Sequence, residues 1–474
     1  MSLRSLASSG VSRVFAHRNF RLWYAGQTVS LIGTWMQSVA QSWLVLELTG
    51  DPFLIGVVFA AQFLPVLVLG LFGGLVADAL PKRPTLVATQ VAMMTLAFVL
   101  FALTITGLVE VWMVVALALL LGLCNAVDMP VRQAFSIEMV GRQDVAAAVA
   151  LNAAIFNGAR IIGPAVAGLV IAAVGVEAAF LVNGLSFGAV IAALLLMRPE
   201  ELEPAPAVAR PRSVPEVIGA LGEGLGYVRR TPVVLVALVV VGSASTFGMN
   251  FIILAPVYAR DVLGLGPEGY GFLMAASGAG SLTAALWLAF VGTPRPIRMA
   301  AGATLLGAAL ILLGISGLFL VSMALMMAAG FGAIAMLTSG NSTIQVVVPD
   351  ELRGRVMSVY GTVFIGSSPI GNLIVGALAS AAGVGAGFIV GGGVTLAVAI
   401  AAAVWLTRSE PGRLAQGSVA SALGRPGRTD ARPAAPRSTA AEDRTAVPSG
   451  PPDPRLSAAV DRSVTPELAS QEQG

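Results

Sequence analysis

Charge is what this sequence has least of. Only 11% of its 474 residues are Asp, Glu, Lys or Arg, while 56% are hydrophobic; a soluble globular chain carries roughly 25% charged residues. So little charge cannot dress a globule for water, and the surplus apolar surface calls for lipid. The single cysteine, Cys124, lies in an apolar run, which excludes an intramolecular disulfide and offers no framework for redox chemistry or structural zinc. The single histidine, His17, belongs to the N-terminal segment. With no clustering of His, Cys and Asp, neither a catalytic constellation nor a metal or cofactor site is expected. A phosphate-cradling GxxxxGK[ST] loop is missing, which excludes ATP-driven pumping by this chain alone. The first apolar stretch is too long for a signal h-region and has no cleavage site, so it is expected to stay uncleaved. Net charge is +3 and the pI near 9.4, but the basic residues fall between apolar segments rather than on one folded face, so no nucleic-acid partner is expected.

What the sequence has instead is a series of long apolar runs. Twelve can be marked, each near the roughly twenty residues that a helix needs to cross a bilayer. The first six are 22–46, 53–77, 85–106, 111–131, 146–173 and 178–197, and the second six are 233–258, 269–291, 297–317, 320–345, 356–381 and 386–406. As helices they satisfy their backbone polar groups internally, as lipid requires. The expected fold is an all-α membrane protein of twelve spans in two six-helix bundles, 22–197 and 233–407. A segment at 1–21 precedes them, a linker at 198–232 joins them and a tail at 408–474 follows. The linker opens as RPEELEPAPAVARPRSVPE and ends in a Gly-rich amphipathic piece at Arg229 and Arg230. The tail is rich in Pro, Ala, Arg, Ser and Gly, a composition that buries too little to offset ordering entropy and predicts disorder.

Alternate loops divide sharply in basic residues. Placing the N-terminus inside puts seventeen Lys and Arg in inside loops before the tail, beginning with Arg4, Arg13, Arg18 and Arg21, while the outside loops hold only Arg260. Both termini are therefore expected in the cytoplasm.

Two local patterns carry mechanism. Between the second and third runs stands GGLVADALPKRP, residues 73–84, in which Gly74, Asp78, Lys82 and Arg83 are spaced G-x-x-x-D-x-x-x-K-R. Gly74 permits close helix approach, and Asp78 suits the positive N-terminus of a neighbouring helix, for which the eleventh is the candidate. The fifth run holds NGARIIGPAVAG, residues 157–168. There Pro164 frees the carbonyl of Arg160 and bends the helix, while Gly158, Gly163, Ala167 and Gly168 make a small-residue face. The eighth run offers a matching face from Ala275 to Ser281.

The first pattern resembles the signature loop of the major facilitator superfamily, G-x-x-x-D-R-x-G-R-R, although Ala79 and Pro81 replace its first basic residue and second glycine. Gly163, Pro164 and Gly168 resemble that family's antiporter motif. DMPVRQAF at 128–135, VGRQD at 140–144, VPDELRGRVMS at 348–358 and FRLWYAGQ at 20–27 are similar to its enterobactin-exporter and macrolide-efflux branch. The resemblance runs from about residue 18 to 407. It implies two pseudo-symmetric halves rocking about a midplane site in a monomer, a gate at Gly74, Asp78, Lys82 and Arg83, and export in preference to import.

Substrate contacts are expected on the first run, where Gln27, Ser30, Thr34, Gln37 and Gln41 recur at spacings of three and four along one face, a stripe suited to a wet cavity. Ser243, Thr246 and Asn250 form its counterpart on the seventh run. Arg160, the only basic residue near the middle of a run, and Asn157 share a face. The arginine is placed to hold an anionic substrate group or to pair with a carboxylate such as Asp128. The carboxylates available for proton coupling are Asp128, Glu47 and Asp78. The expected function is gradient-driven, proton-coupled export of a small amphipathic molecule (drug, macrolide, siderophore or secondary metabolite). A facilitated or proton-coupled importer and a non-transport membrane accessory protein remain alternatives. The expected partners are that small molecule, lipid and protons.

Overall fold

The computed structural model describes residues 12–70, 72, 80–203, 214–291 and 295–409, all within one compact unit, Met1–Pro426. Gly74 and Asp78, and the tail from 410 onward, lie outside the described residues. Among the described residues every regular element is helical. The long helices are α1 (Arg18–Thr49), α2 (Pro52–Gly70), α3 (Lys82–Ile105), α4 (Val111–Gly141), α5 (Gln143–Val174) and α6 (Val176–Leu196). The linker supplies α7 (Val214–Arg230), and α8 (Pro232–Asp261), α9 (Pro267–Val291), α10 (Pro296–Ile315), α11 (Phe319–Val347), α12 (Asp350–Ala382) and α13 (Val384–Arg408) follow. Eleven of these are long and apolar enough to cross a membrane. Large apolar side chains on them stand bare, Phe290 at 77% and Leu320 at 78% exposure, as lipid-facing positions do.

Three expectations change. Helix α1 is long enough to span, yet it is not among the eleven, because its glutamines, serines and threonines offset its apolar residues. The expected loop at 132–145 is absent: α4 and α5 meet at Gly141, whose φ of +66° breaks the helix within a single residue. Only glycine takes that left-handed conformation at little cost. Finally, α8 is not one regular helix. A π-helical turn over Ala244–Gly248 interrupts it, and Phe251–Asp261 resumes after Asn250. Glycines in neighbouring helices leave room for this turn. A methyl group on Gly371 of α12 would collide with the Thr246 carbonyl, and one on Gly391 of α13 with that of Phe247.

Helices α1 to α6 pack on one another, as do α8 to α13, and two seams join the sets: α5 on α9 and α2 on α12. Glycines allow backbone to approach backbone at both. In the first seam a methyl group at Gly271 would lie 2.5 Å from the Pro164 carbonyl oxygen, one at Gly168 would lie 2.7 Å from that of Pro267, and one at Gly278 would lie 2.7 Å from that of Arg160. In the second, Gly376 faces the Pro52 carbonyl at 3.0 Å and Gly56 abuts that of Asn372. Around the same end Trp43 stacks on Tyr270 with ring centroids 6.5 Å apart, and Arg260 donates to the Leu46 carbonyl at 3.3 Å. The turn at 383–384 meets that at 50–52 around a cleft of about 230 Å³. This end is therefore closed, and Arg18 and Arg408 lie a helix length away at the other.

Gly158 is a correction to the small-residue face, because nothing lies within 4 Å of where its side chain would be. The two glycines thus predict opposite outcomes. Gly158→Ala should raise stability by about 0.5–1 kcal/mol through helix propensity, whereas Gly271→Val should lower it by about 1–3 kcal/mol through overpacking. Thermal unfolding of the purified protein in detergent measures both.

Candidate functional site

The glutamine stripe of α1 turns mostly inward. Gln27, Ser30, Gln37 and Gln41 are buried at 3, 4, 8 and 3% exposure, and only Thr34 is exposed. Gly26 and Gly33 set this orientation by seating α1 on α6, where any larger residue would strike Ala189, Asn183 or Ser186. Gln37 then accepts a 2.5 Å hydrogen bond from Asn183, while Gln41 points among Leu96, Val114 and Leu117 of α3 and α4. Four of the five side chains therefore lie in the interior of the first helix set. The counterpart on α8 departs in another way, since the π-turn breaks its spacing. Ser243, Thr246 and Asn250 are each hydrogen bonded to backbone within four residues, at Val240, Gly242 and Thr246.

At one end of the stripe is a polar cluster that the sequence showed only in pieces. Asp128 of α4 is 1% exposed. It accepts from Arg132 Nε at 2.7 Å, Thr89 Oγ1 at 2.7 Å and Gln90 Nε2 at 2.9 Å. Arg132 lies one helical turn beyond Asp128, donates also to Gln27 Oε1 and covers the Trp23 ring at 5.7 Å. Asp128 is thus paired with Arg132 and not with Arg160. The spacing Asp128–Arg132 was visible as i,i+4; Thr89 and Gln90, from a helix nearly forty residues earlier, were not. Gln27 Nε2 and Gln90 Oε1 are buried without protein partners.

Arg160 of α5 belongs to a different place. Its guanidinium lies 5.8 Å from the centroid of the Trp35 ring, and Phe156 meets the same ring edge-on at 5.8 Å. Asn157 donates to the Ala153 carbonyl. The Arg160 carbonyl, deprived of its helical donor by Pro164, lies against Gly278 of α9. Gly163 seats Trp35, whose Cβ a methyl group there would approach to 2.5 Å.

The remaining candidates are scattered. Lys82 pairs with Glu138 at 2.7 Å. Arg83 donates to the Leu194 and Leu195 carbonyls at the C-terminus of α6, where the helix dipole favours a cation. Both are therefore engaged within the first helix set. Glu47, at the closed end, is exposed and accepts from Trp43 Nε1 at 2.6 Å.

The profile of the transmembrane secretion effector family matches residues 9–418. The chain belongs to that family. It is accordingly a multi-pass membrane transporter of the major facilitator superfamily. The multidrug efflux pump Tap of Mycolicibacterium fortuitum is 30% identical over 75% of this chain and 88% of its own. Macrolide efflux protein A of Streptococcus pyogenes is 25% identical over 80% and 94%. The fold matches the crystal structure of the nucleoside transporter NupG with a TM-score of 0.63 at 12% identity, covering 83% of this chain and 100% of the other. Membership in a family of transporters makes the chain a carrier of a small molecule in lipid rather than an enzyme.

The Asp128 cluster gives this transporter a sharp stability signature. Arg132→Met strands a buried carboxylate and should cost about 3–5 kcal/mol. Adding Asp128→Asn to that variant should recover part of the loss, because the charge that needed Arg132 is gone. Thermal unfolding of the two single variants and the double variant checks this.

Proposed function

We propose that this transporter exports a small amphipathic molecule (a drug, macrolide, siderophore or secondary metabolite) from the cytoplasm by proton-coupled antiport through alternating access. The observation that carries the reading is the α5–α9 seam, in which Pro164 and Gly168 close one end of the molecule over Gly271 while the Arg160 carbonyl lies over Gly278. Positive-inside bias assigns the other end, with Arg18 and Arg408, to the cytoplasm. Substrate then enters from the cytoplasm, and opening the seams releases it outside. The efflux names of the relatives support the same direction.

In this reading twelve spans, with α1 as the least apolar, form halves at 22–197 and 233–407 that rock as a monomer about the linker. Substrate meets Thr34, Asn157 and Arg160 in the cavity, with Ser243 and Thr246 beside it across the halves. Gln27, Ser30, Gln37, Gln41 and Asn250 support the wall from behind. Gly74, Asp78, Lys82 and Arg83 gate the cytoplasmic end. Asp128 is the coupling carboxylate favoured by its setting: it is buried within the first helix set, and its partner Arg132 also reaches Gln27 on α1. Glu47 is too exposed to sense the cavity, and Asp78 belongs with the gate.

Uptake of a macrolide, a cationic dye and an aromatic carboxylate into inverted vesicles tests the proposal. Acid-interior vesicles should accumulate substrate, an uncoupler should abolish the accumulation, and Asp128→Asn should lose it while keeping downhill exchange. Equilibration of an external nutrient without accumulation of any panel compound would replace export with facilitated import.

A further inference from the structure

Two arginines lie well away from the ends of their helices, Arg132 in α4 and Arg160 in α5, and they are provided for very differently. Arg132 has a carboxylate, an amide oxygen and an indole face. Arg160 has the indole face of Trp35 alone; among the described residues no carboxylate lies within 4 Å and no acceptor satisfies its guanidinium. An arginine has five donors in a fixed planar fork, and leaving it uncompensated inside a membrane span is costly. A cation–π contact returns only a small part of that cost. The fold nevertheless holds this side chain in place, between Phe156 one turn before it and Gly163 and Pro164 just after it.

Exposure along this side of α5 is graded. Val149 is 60% exposed and Phe156 46%, Arg160 is partly exposed, Gly163 is buried and Ala167 is fully buried. On α1 the neighbouring Thr34 is exposed and Trp35 partly so, while Trp43 toward the closed end is 5% exposed. Exposure on both helices therefore falls toward the seam, and Arg160 stands where it falls off. Trp35 and Phe156 add two mutually perpendicular aromatic faces at the same depth.

We infer that Arg160, Trp35 and Phe156 form the recognition corner of the substrate site, and that the molecule it takes carries an anionic group, a carboxylate or its equivalent, on a flat apolar body. The anion receives a bidentate, charge-assisted pair of hydrogen bonds from a guanidinium that has no protein acceptor among the described residues, while the body stacks against Trp35 and Phe156. Thr34 supplies a hydroxyl at the edge. A neutral analogue keeps the stacking and loses the fork. A cationic analogue is repelled. The inference rests on the transport reading for the identity of the site, but its chemistry is tested by binding alone.

The test uses the full chain purified in detergent, with equilibrium dialysis of three matched probes: 2-naphthoate, its methyl ester and 2-naphthylmethylamine. Wild type should bind the naphthoate about tenfold or more tightly than the ester, and the amine most weakly. Arg160→Gln should bring naphthoate to the level of the ester, Arg160→Lys should retain part of the difference, and Trp35→Leu should weaken naphthoate and ester alike. The wild-type comparison needs no variant to fold. Equal binding of naphthoate and ester, or tightest binding of the amine, overturns the anion assignment. So does an Arg160→Gln variant that keeps the wild-type preference. Uphill uptake of naphthoate and of a cationic dye by wild-type inverted vesicles separates the two readings: if the dye accumulates while the naphthoate preference fails, export stands and the anion class falls. If the preference holds and neither naphthoate nor the dye moves uphill, the site stands and export falls.

Discussion

Backbone-to-backbone contact across glycine is the constraint on which the rest of this transporter depends. Between helices in lipid there is no hydrophobic gain from meeting, because a hydrocarbon tail is as good a neighbour as a leucine, so close packing has to carry the association. Gly168, Gly271 and Gly278 let α5 and α9 approach until carbonyl oxygens sit where side chains would otherwise be, and Gly56 and Gly376 do the same for α2 and α12. These two seams fix which end of the molecule is shut. The stacking of Trp43 on Tyr270 and the Arg260 contact with Leu46 both take their positions from that closure.

Proline contributes to the same seam by subtraction. Pro164 has no N–H to offer the Arg160 carbonyl, which in a regular helix would accept one. That oxygen instead lies over Gly278. The residue whose side chain is the most conspicuous charge in the membrane thus has its backbone in the inter-set contact. Movement of α5 against α9 cannot occur without moving the base on which the guanidinium stands. Whatever occupies the corner beside Trp35 is mechanically connected to the seam through a single residue.

Much of this was legible in the sequence, and the parts that were not have a common reason. Apolar run length located the helices because bilayer thickness is a one-dimensional constraint. The α5–α9 contact followed from small residues, which have one main use in a membrane. The glutamine stripe was legible as a stripe and misleading as a cavity. Periodicity gives the angle between side chains on one helix, but not which neighbour that angle faces. Gln37 finds Asn183 and Gln27 finds Arg132, partners more than a hundred residues away. The same limit hid Thr89 and Gln90 from Asp128. The break in α8 was hidden differently: ASTFG contains no proline, and the room for its wider turn comes from Gly371 and Gly391 on other helices. The loop expected at 132–145 failed because charge in Arg132, Glu138 and Asp144 suggested water, whereas each is held by a partner: Arg132 by Asp128, Glu138 by Lys82, and Asp144 by Arg13 and His17.

That last point bears on how charge is used throughout the chain. Where two opposite charges can meet, as at Asp128–Arg132 or Lys82–Glu138, helices run on through positions that composition alone would assign to solvent, because the pair presents far less charge to its surroundings than either member. Pairing therefore extends the helices of the first set and stiffens them against one another, with Arg83 and Arg18 tying the end of α6 through its last carbonyls. Against that background an arginine left without a counter-charge is not explained by packing. Among the described residues the first helix set supplies a partner to each carboxylate it buries, and Arg160, which has none, is the natural place for a partner from outside.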